Sequence, residues 1–310
     1  MMKIFRSFGG YVELTQAEKG CWINVVNPDP HEIAVLHDEY LIPEDVLQDI
    51  LDVDERPRLE IDDQWSLIIL RIPVQSHNNG IPFHTVPLGI FITENSTISV
   101  CGTENDVLPS QQPSLYREHY QQVNETINFI LRLFLNSAKL YLKYLKQINQ
   151  QINVIEKDLE KSIRNKELHR LLKMEKCLVY FTTSLKSNEI LLAKLKGSKL
   201  MKMDEVIEDL LEDAIIENKQ AADTAQIYSD IQSGMMDAFA SVISNNLNVV
   251  MKRLTSVSII LMIPTLVASI YGMNVPNFLE GNVWAFPGIL LGSFILAYIG
   301  VLVFRRLQWF

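Results

Sequence analysis

Apolar positions follow three spacings in turn along this chain of 310 residues. Up to about residue 110 they come in short runs: Cys21-Trp22-Ile23-Asn24-Val25-Val26, then 66–73, 87–93 and 97–101. Runs of that length, bounded by Asn, Pro, Ser or Gly, predict strands. Asn95-Ser96 predicts the turn between the last two, and Asn78-Asn79-Gly80 a further hairpin turn. Asn27-Pro28-Asp29-Pro30 opens a helix near His31, and Pro43-Glu44-Asp45 opens another with acids in its first turn. Alternating strands and helices predict an α/β domain over 1–115.

The spacing then becomes three and four. No proline stands between Pro113 and Pro264, and the glycines of that stretch are Gly197 and Gly234. Ile127, Ile130, Leu131, Leu133, Phe134, Ala138 and Tyr141 recur as on one helix face. Residues 116–202 therefore predict long antiparallel helices, with Gly197-Ser198 as the break between an outgoing and a returning arm. A stalk helix follows over 203–253, with an apolar stripe of Val206, Leu210, Ala214, Ala221, Ala225, Tyr228, Met235, Phe239 and Val242. It meets no stop signal before Gly272, and a helix of about 70 residues would span on the order of 100 Å. A helix so long needs neighbours, which predicts an oligomer.

In the last part, 254–310, the apolar residues stop alternating altogether. Two runs, 254–272 and 284–304, carry no charged side chain. Each is about the 20 residues a helix needs to cross a bilayer. Lys252 and Arg253 stand before the first, Arg305 and Arg306 after the second, and 273–283 holds no Lys or Arg. By the positive-inside rule this hairpin has both termini cytoplasmic, and the membrane expected is the plasma membrane. The start, Met1-Met2-Lys3-Ile4-Phe5-Arg6, lacks the apolar core of a signal peptide, in keeping with a cytoplasmic body. Pro264 predicts a kink in the first span, and Gly288, Gly292 and Gly300 predict close packing of the second.

Composition narrows the chemistry. The figures of 48% hydrophobic residues and mean hydropathy +0.09 average a polar body with an apolar tail. A net charge of −9 argues against nucleic acid as a partner. Cys21, Cys101 and Cys177 stand far apart without a Cys-x-x-Cys pair, so neither a disulfide framework nor a zinc site is indicated. The sequence has no phosphate-binding Gly-rich loop and no nucleophile–base set, which argues against ATP use and against an enzyme.

What remains is the polar stretch Tyr271-Gly272-Met273-Asn274 at the outer end of the first span. Gly and Asn there suit a helix C-terminus, and they equally suit a constriction. Back along one face of the helix come Thr265, Met262, Ser258, Leu254, Met251 and Asn248, polar uncharged residues alternating with apolar ones. Polar side chains in a span either face a protein interior or bond back to their own helix carbonyls.

These residues carry a resemblance. Residues 248–310 resemble the CorA family of divalent-cation transporters, whose signature is Tyr-Gly-Met-Asn closing the first of two spans. Glu44-Asp45 and Asp54-Glu55-Arg56-Pro57-Arg58-Leu59-Glu60 are similar to a stretch of that family's cytoplasmic domain, and Asp230-Ile231 and Ser244-Asn245 to its stalk. The resemblance implies a homopentamer in the lipid bilayer, its five first spans lining one pore for divalent cations. Gly272, Met273 and Asn274 would form the filter, with Asn248, Met251, Leu254, Ser258, Met262 and Thr265 lining the pore below. Magnesium holds its water shell tightly, and a ring of Asn274 carboxamides could accept hydrogen bonds from that shell. Met262, Leu254 and Met251 would be constrictions that close by dewetting. An inside-negative potential of 100 mV drives a divalent ion inward by about 4.6 kcal/mol, so no pump is required. The family also implies Mg2+ as a regulator, held by carboxylates between stalk and α/β domain. Asp213 matches the stalk partner, no acid stands across from it in 75–85, and its other reading is a solvated helix face.

The outer loop departs from the family's Met-Pro-Glu-Leu. It reads Val275-Pro276-Asn277-Phe278-Leu279-Glu280-Gly281-Asn282, and Glu280 is its sole charge, a weak acidic ring at the mouth. Zinc, cobalt and nickel thus stay beside magnesium as cargo. A reading from another class is a membrane-anchored signalling or structural protein that uses the hairpin as an anchor.

Overall fold

The computed structural model describes residues 1–6, 8, 13–76, 80–109, 125–161, 165–198, 200, 204–273, 283–307 and 309. They form two compact units, Met1–Ser233 and Gly234–Phe310.

The first unit is built on a seven-stranded sheet in the order β2-β1-β3-β7-β6-β5-β4. Its strands are β1 (Met2–Phe5), β2 (Glu13–Leu14), β3 (Cys21–Val26), β4 (Arg58–Ile61), β5 (Trp65–Gln75), β6 (Phe83–Thr93) and β7 (Ser96–Cys101). The pair β3–β7 is parallel and sets Ile23 against Ile98; the others are antiparallel. The central strands β3, β5, β6 and β7 are buried on both faces along most of their length and carry apolar runs for that reason. Cys21, Ile23, Val25, Leu67, Ile69, Phe91, Ile98 and Val100 bury one face beneath two helices, α1 (Pro30–Tyr40) and α2 (Glu44–Leu51). Asp29 caps α1 in a capping box with Glu32, as the Asp29-Pro30 pair leads one to expect. Trp22, from the opposite face, meets Phe129 of α3 (Glu125–Lys161) at 5.2 Å between centroids. Phe83 packs on Tyr144 of α3 and Phe181 of α4 (Asn165–Lys196).

Two features of the sheet fall outside the sequence expectation. β5 and β6 extend to the Gln75–Phe83 pair, where Ser76 N–H donates to the Pro82 carbonyl at 2.8 Å. Of the expected turn at Asn78-Asn79-Gly80, Asn78 and Asn79 lie outside the described residues. Gly89 of β6 lies directly beneath α2: a Cβ built there would sit 2.5 Å from Ile50 Cδ1 and 2.9 Å from its Cγ1. Because Ile50 is fully buried, Gly89→Val overpacks this contact and is expected to cost about 1–3 kcal/mol of stability. Denaturation of the full chain in detergent, followed by Trp fluorescence, checks this; an unchanged midpoint would show that α2 can shift freely.

The helical segment is divided differently from the expectation. α3 ends at Lys161 and α4 begins at Asn165, so this stretch holds two helices before Gly197-Ser198, the second ending at Lys196. Tyr141 stacks edge-on against Phe181 at 4.9 Å, and with three residues between the helices this contact requires them to run antiparallel. α5 (Glu205–Tyr271) then runs 67 residues without interruption, through Pro264, so the stalk and the first span are one helix. Asp204 starts it by accepting from Ile207 N–H at 2.8 Å.

Within the first unit, α5 buries Ile207, Leu211, Ala214, Asn218, Ala221, Ala225 and Gln232. These steps of four, three and seven follow a 3.5-residue repeat, the spacing of a helix packed lengthwise on another. Asn218 secures the seam by donating to the Leu185 carbonyl of α4 at 3.0 Å. Val206, expected on the buried stripe, is 65% exposed because this seam takes Ile207 instead. Cys21, Cys101 and Cys177 are free and buried, and burial pushes the Cys177 thiol up to about 11.

Candidate ion pathway

In the second unit α6 (Ala285–Arg306) packs on one side of α5. They meet at Gly300, where an added Cβ would lie 3.3 Å from Ile263 Cδ1 and 3.7 Å from Ile260 Cγ1. Ser256 is fully buried and bonds to the Lys252 carbonyl at 2.8 Å. Gly288 and Gly292, expected at close contacts like Gly300, have open space where a Cβ would be.

The candidate pore residues lie on a different side. At 100° per residue, Asn248, Met251, Leu254, Ser258, Met262 and Thr265 fall within about 120° of the α5 surface. Ser256, Ile260 and Ile263 centre about 150° away. All six candidates are exposed, Leu254 by 60% and Met262 by 67%. α6 thus leaves this face uncovered. Ser258 and Thr265 each donate to the carbonyl four residues back, Leu254 and Leu261, at 3.0 Å. Both donors are used locally, and each hydroxyl oxygen keeps acceptor capacity toward the open face.

The outer end of α5 closes at the signature stretch. Gly272 N–H donates to Ala268 O at 2.9 Å, and Met273 N–H to Ile270 O at 3.4 Å, tightening the last turn. A Cβ on Gly272 would lie 3.2 Å from the Ala268 carbonyl oxygen, so a residue without one fits this turn. Asn274 and Glu280 lie outside the described residues. Asp213 is exposed on α5, in the first unit, and among the described residues no group of three or more His, Cys, Asp or Glu is arranged to hold a metal ion.

The first unit has a polar feature the sequence did not announce. Arg71 of β5 donates through Nη1 to Glu55 O at 2.7 Å and through Nη2 to Thr85 O at 2.8 Å. Its Nε reaches both Thr85 Oγ1 and Ser184 Oγ at 3.2 Å. The Asn188 amide of α4 accepts from Arg71 N–H at 3.0 Å and donates to Arg71 O at 2.8 Å. Asn188 therefore acts as a strand neighbour just beyond Ile69, the last β5 residue that β4 pairs. Burial lowers the pKa of Arg71 from its usual value.

Close by, His84, Glu104, Asn105, Asp106 and Tyr144 line a pocket of about 400 Å³. Burial, then the charge of Arg71, lowers the His84 pKa below 6.5. A folded-state pKa below the unfolded one means that stability is fully present above about 6.5 and falls as pH drops through the folded value. His84→Gln is expected to remove that part of the acid-side loss. Unfolding midpoints of both chains at pH 7.5 and 5 check it, and parallel declines would refute it.

A folded α/β body, a helical stalk and an apolar hairpin with an uncovered, uncharged polar face make an integral-membrane transport protein. Residues 17–306 match the family model described as "CorA-like Mg2+ transporter protein", and the chain belongs to that family. It is 27% identical over 297 residues to the cobalt/magnesium transport protein CorA of Methanocaldococcus jannaschii, covering 93% of this chain and 90% of that protein. It is 26% identical over 303 residues to the cobalt/magnesium transport protein CorA of Thermotoga maritima, covering 93% and 83%. The complete structure of the M. jannaschii CorA magnesium transporter superposes with a TM-score of 0.83 at 24% identity, over 100% of this chain and 99% of that one, and so shares its fold.

Proposed function

We propose that this chain passes divalent cations, magnesium first, inward across the cell membrane through a central pore made by five copies of itself. The observation that carries the reading is the uncovered face of α5 from Asn248 to Thr265, leading to Tyr271-Gly272-Met273 at the end of a helix whose other side is taken by α6. Asn274 forms the filter with the Gly272 and Met273 backbone, accepting hydrogen bonds from a hydrated ion. Met251, Leu254 and Met262 form the apolar rings that gate it. Glu280 draws cations weakly to the outer mouth. The α/β domain over 1–115, the helices over 116–202 and the stalk over 203–253 lie in the cytoplasm with both termini, on the charge asymmetry of the hairpin ends.

The test is ion flux into vesicles carrying the purified chain, with magnesium, cobalt, nickel and zinc offered singly and in competition. Magnesium uptake driven by an inside-negative potential is the expected result. Zinc uptake unaffected by excess magnesium would reverse the order of cargo, and no flux of any divalent ion would leave the hairpin as an anchor. In the same vesicles internal magnesium is expected to reduce uptake, and Asp213→Asn to weaken that effect, if Asp213 supplies a carboxylate to a regulatory ion between subunits. Inhibition unchanged by Asp213→Asn would return Asp213 to an ordinary solvated face.

A further inference from the structure

α5 and α6 leave a second opening between them, away from the candidate pore face. It is a groove of about 540 Å³ lined by Val257, Ile260 and Leu261 of α5 and by Val301 and Arg305 of α6. Four of its five lining residues are apolar, and the fifth is a guanidinium. Val301 and Arg305 are four residues apart on α6, so Arg305 stands one turn beyond the apolar lining. On α5, Arg253 stands one turn before Val257 on the same stripe. α5 and α6 run in opposite senses, so both arginines extend the groove at the same end. This is the end the charge asymmetry assigns to the cytoplasmic leaflet.

The charges around that end are unbalanced. Lys252, Arg253, Arg305 and Arg306 gather there, while no Asp or Glu occurs between Asp237 and Glu280 or after Glu280. Among the described residues neither Arg253 nor Arg305 forms an ion pair. An apolar slot at bilayer depth that ends on two unpaired guanidinium groups complements one kind of ligand in its surroundings, an acyl chain joined to an anionic headgroup.

We propose that the α5–α6 groove is a binding site for an anionic phospholipid, with an acyl chain along Val257, Ile260, Leu261 and Val301 and the headgroup phosphate held by Arg253 and Arg305. The site rests on the reading of α5 and α6 as membrane spans and is independent of which ion is carried. Arginine suits it better than lysine, because the planar fork can take two phosphate oxygens at once.

The experiment uses the full chain in neutral detergent, titrated with phosphatidylglycerol or phosphatidylcholine and weighed intact by native mass spectrometry. Wild type is expected to retain phosphatidylglycerol in preference to phosphatidylcholine. Arg305→Gln and Arg253→Gln should each lower phosphatidylglycerol retention by about fivefold, in line with the contribution of a cation beside an anionic leaflet. Arg305→Lys should restore part of the loss while phosphatidylcholine retention stays unchanged. Equal retention of the two lipids by wild type, or equal phosphatidylglycerol retention by wild type and the double variant, would overturn the site. So would a double variant that loses its oligomer in lipid-free detergent, since the arginines would then be serving a subunit contact. Magnesium flux measured in vesicles of neutral lipid keeps this outcome separate from the transport reading, because a failed lipid site leaves that flux in place.

Discussion

Vesicles carrying the Asn274→Ala chain are expected to take up magnesium about a hundredfold more slowly than wild type, or slower still. The size follows from the proposed symmetry, since one substitution removes five carboxamides from one ring. A hydrogen bond contributes about 1 kcal/mol net, and losing three of five already gives about a hundredfold. Selectivity should fall with rate, because alanine offers nothing to a hydrated ion that distinguishes it by size. Asn274→Gln is the informative companion: it keeps the amide but moves it by one methylene, and uptake between the two extremes is expected. Uptake within twofold of wild type for Asn274→Ala, with the chain present at normal level and normal oligomer mass, would remove Asn274 from the filter.

The largest expected effect on stability is at Arg71. Arg71→Met leaves the Glu55 and Thr85 carbonyls, and the Thr85 and Ser184 hydroxyls, without their shared donor. It also removes a half-buried charge, which offsets part of the loss. The balance is a destabilisation of about 3 kcal/mol. Arg71→Lys should recover less than half of it, since one ammonium cannot bridge Glu55 O and Thr85 O as the guanidinium does. Thermal unfolding of the full chain in detergent checks both variants. A change below about 1 kcal/mol for Arg71→Met would mean that water replaces the guanidinium at little cost.

The parts of this fold legible in the sequence are those where one physical signal acts alone. The two spans declare themselves because lipid tolerates no charge, and the doubly covered strands β3, β5, β6 and β7 because burial on both faces leaves apolar runs. Edge strands carry no such mark. β4 reads Arg58-Leu59-Glu60-Ile61 and passes for a polar motif until the pairing of Leu59 with Ile68 is seen. The end of α3 at Lys161 and the start of α4 at Asn165 have neither Gly nor Pro to announce them, unlike the end of α4 before Gly197-Ser198. On α5 the expected Leu210, Ala214, Ala221 and Ala225 are buried, and Val206 departs from the stripe because its β-branched neighbour Ile207 takes the packed position. The Arg71–Thr85–Ser184–Asn188 network joins residues up to 117 positions apart, and no local pattern can reveal it. In the hairpin, periodicity could place Asn248 to Thr265 on one face, but that α6 takes the other side depends on the fit of Gly300 to Ile263.

The three thiols described above have a practical consequence. Cys21 is 1% exposed, Cys101 and Cys177 not at all, and burial raises the pKa of each. An alkylating reagent attacks the thiolate, so the native chain is close to silent toward a brief, mild dose. A cysteine placed at Met262 or Thr265 would then be the one fast-reacting thiol without removal of any native residue. Its labelling rate from either side of a sealed vesicle, with and without magnesium, would map how far water and ion reach along α5.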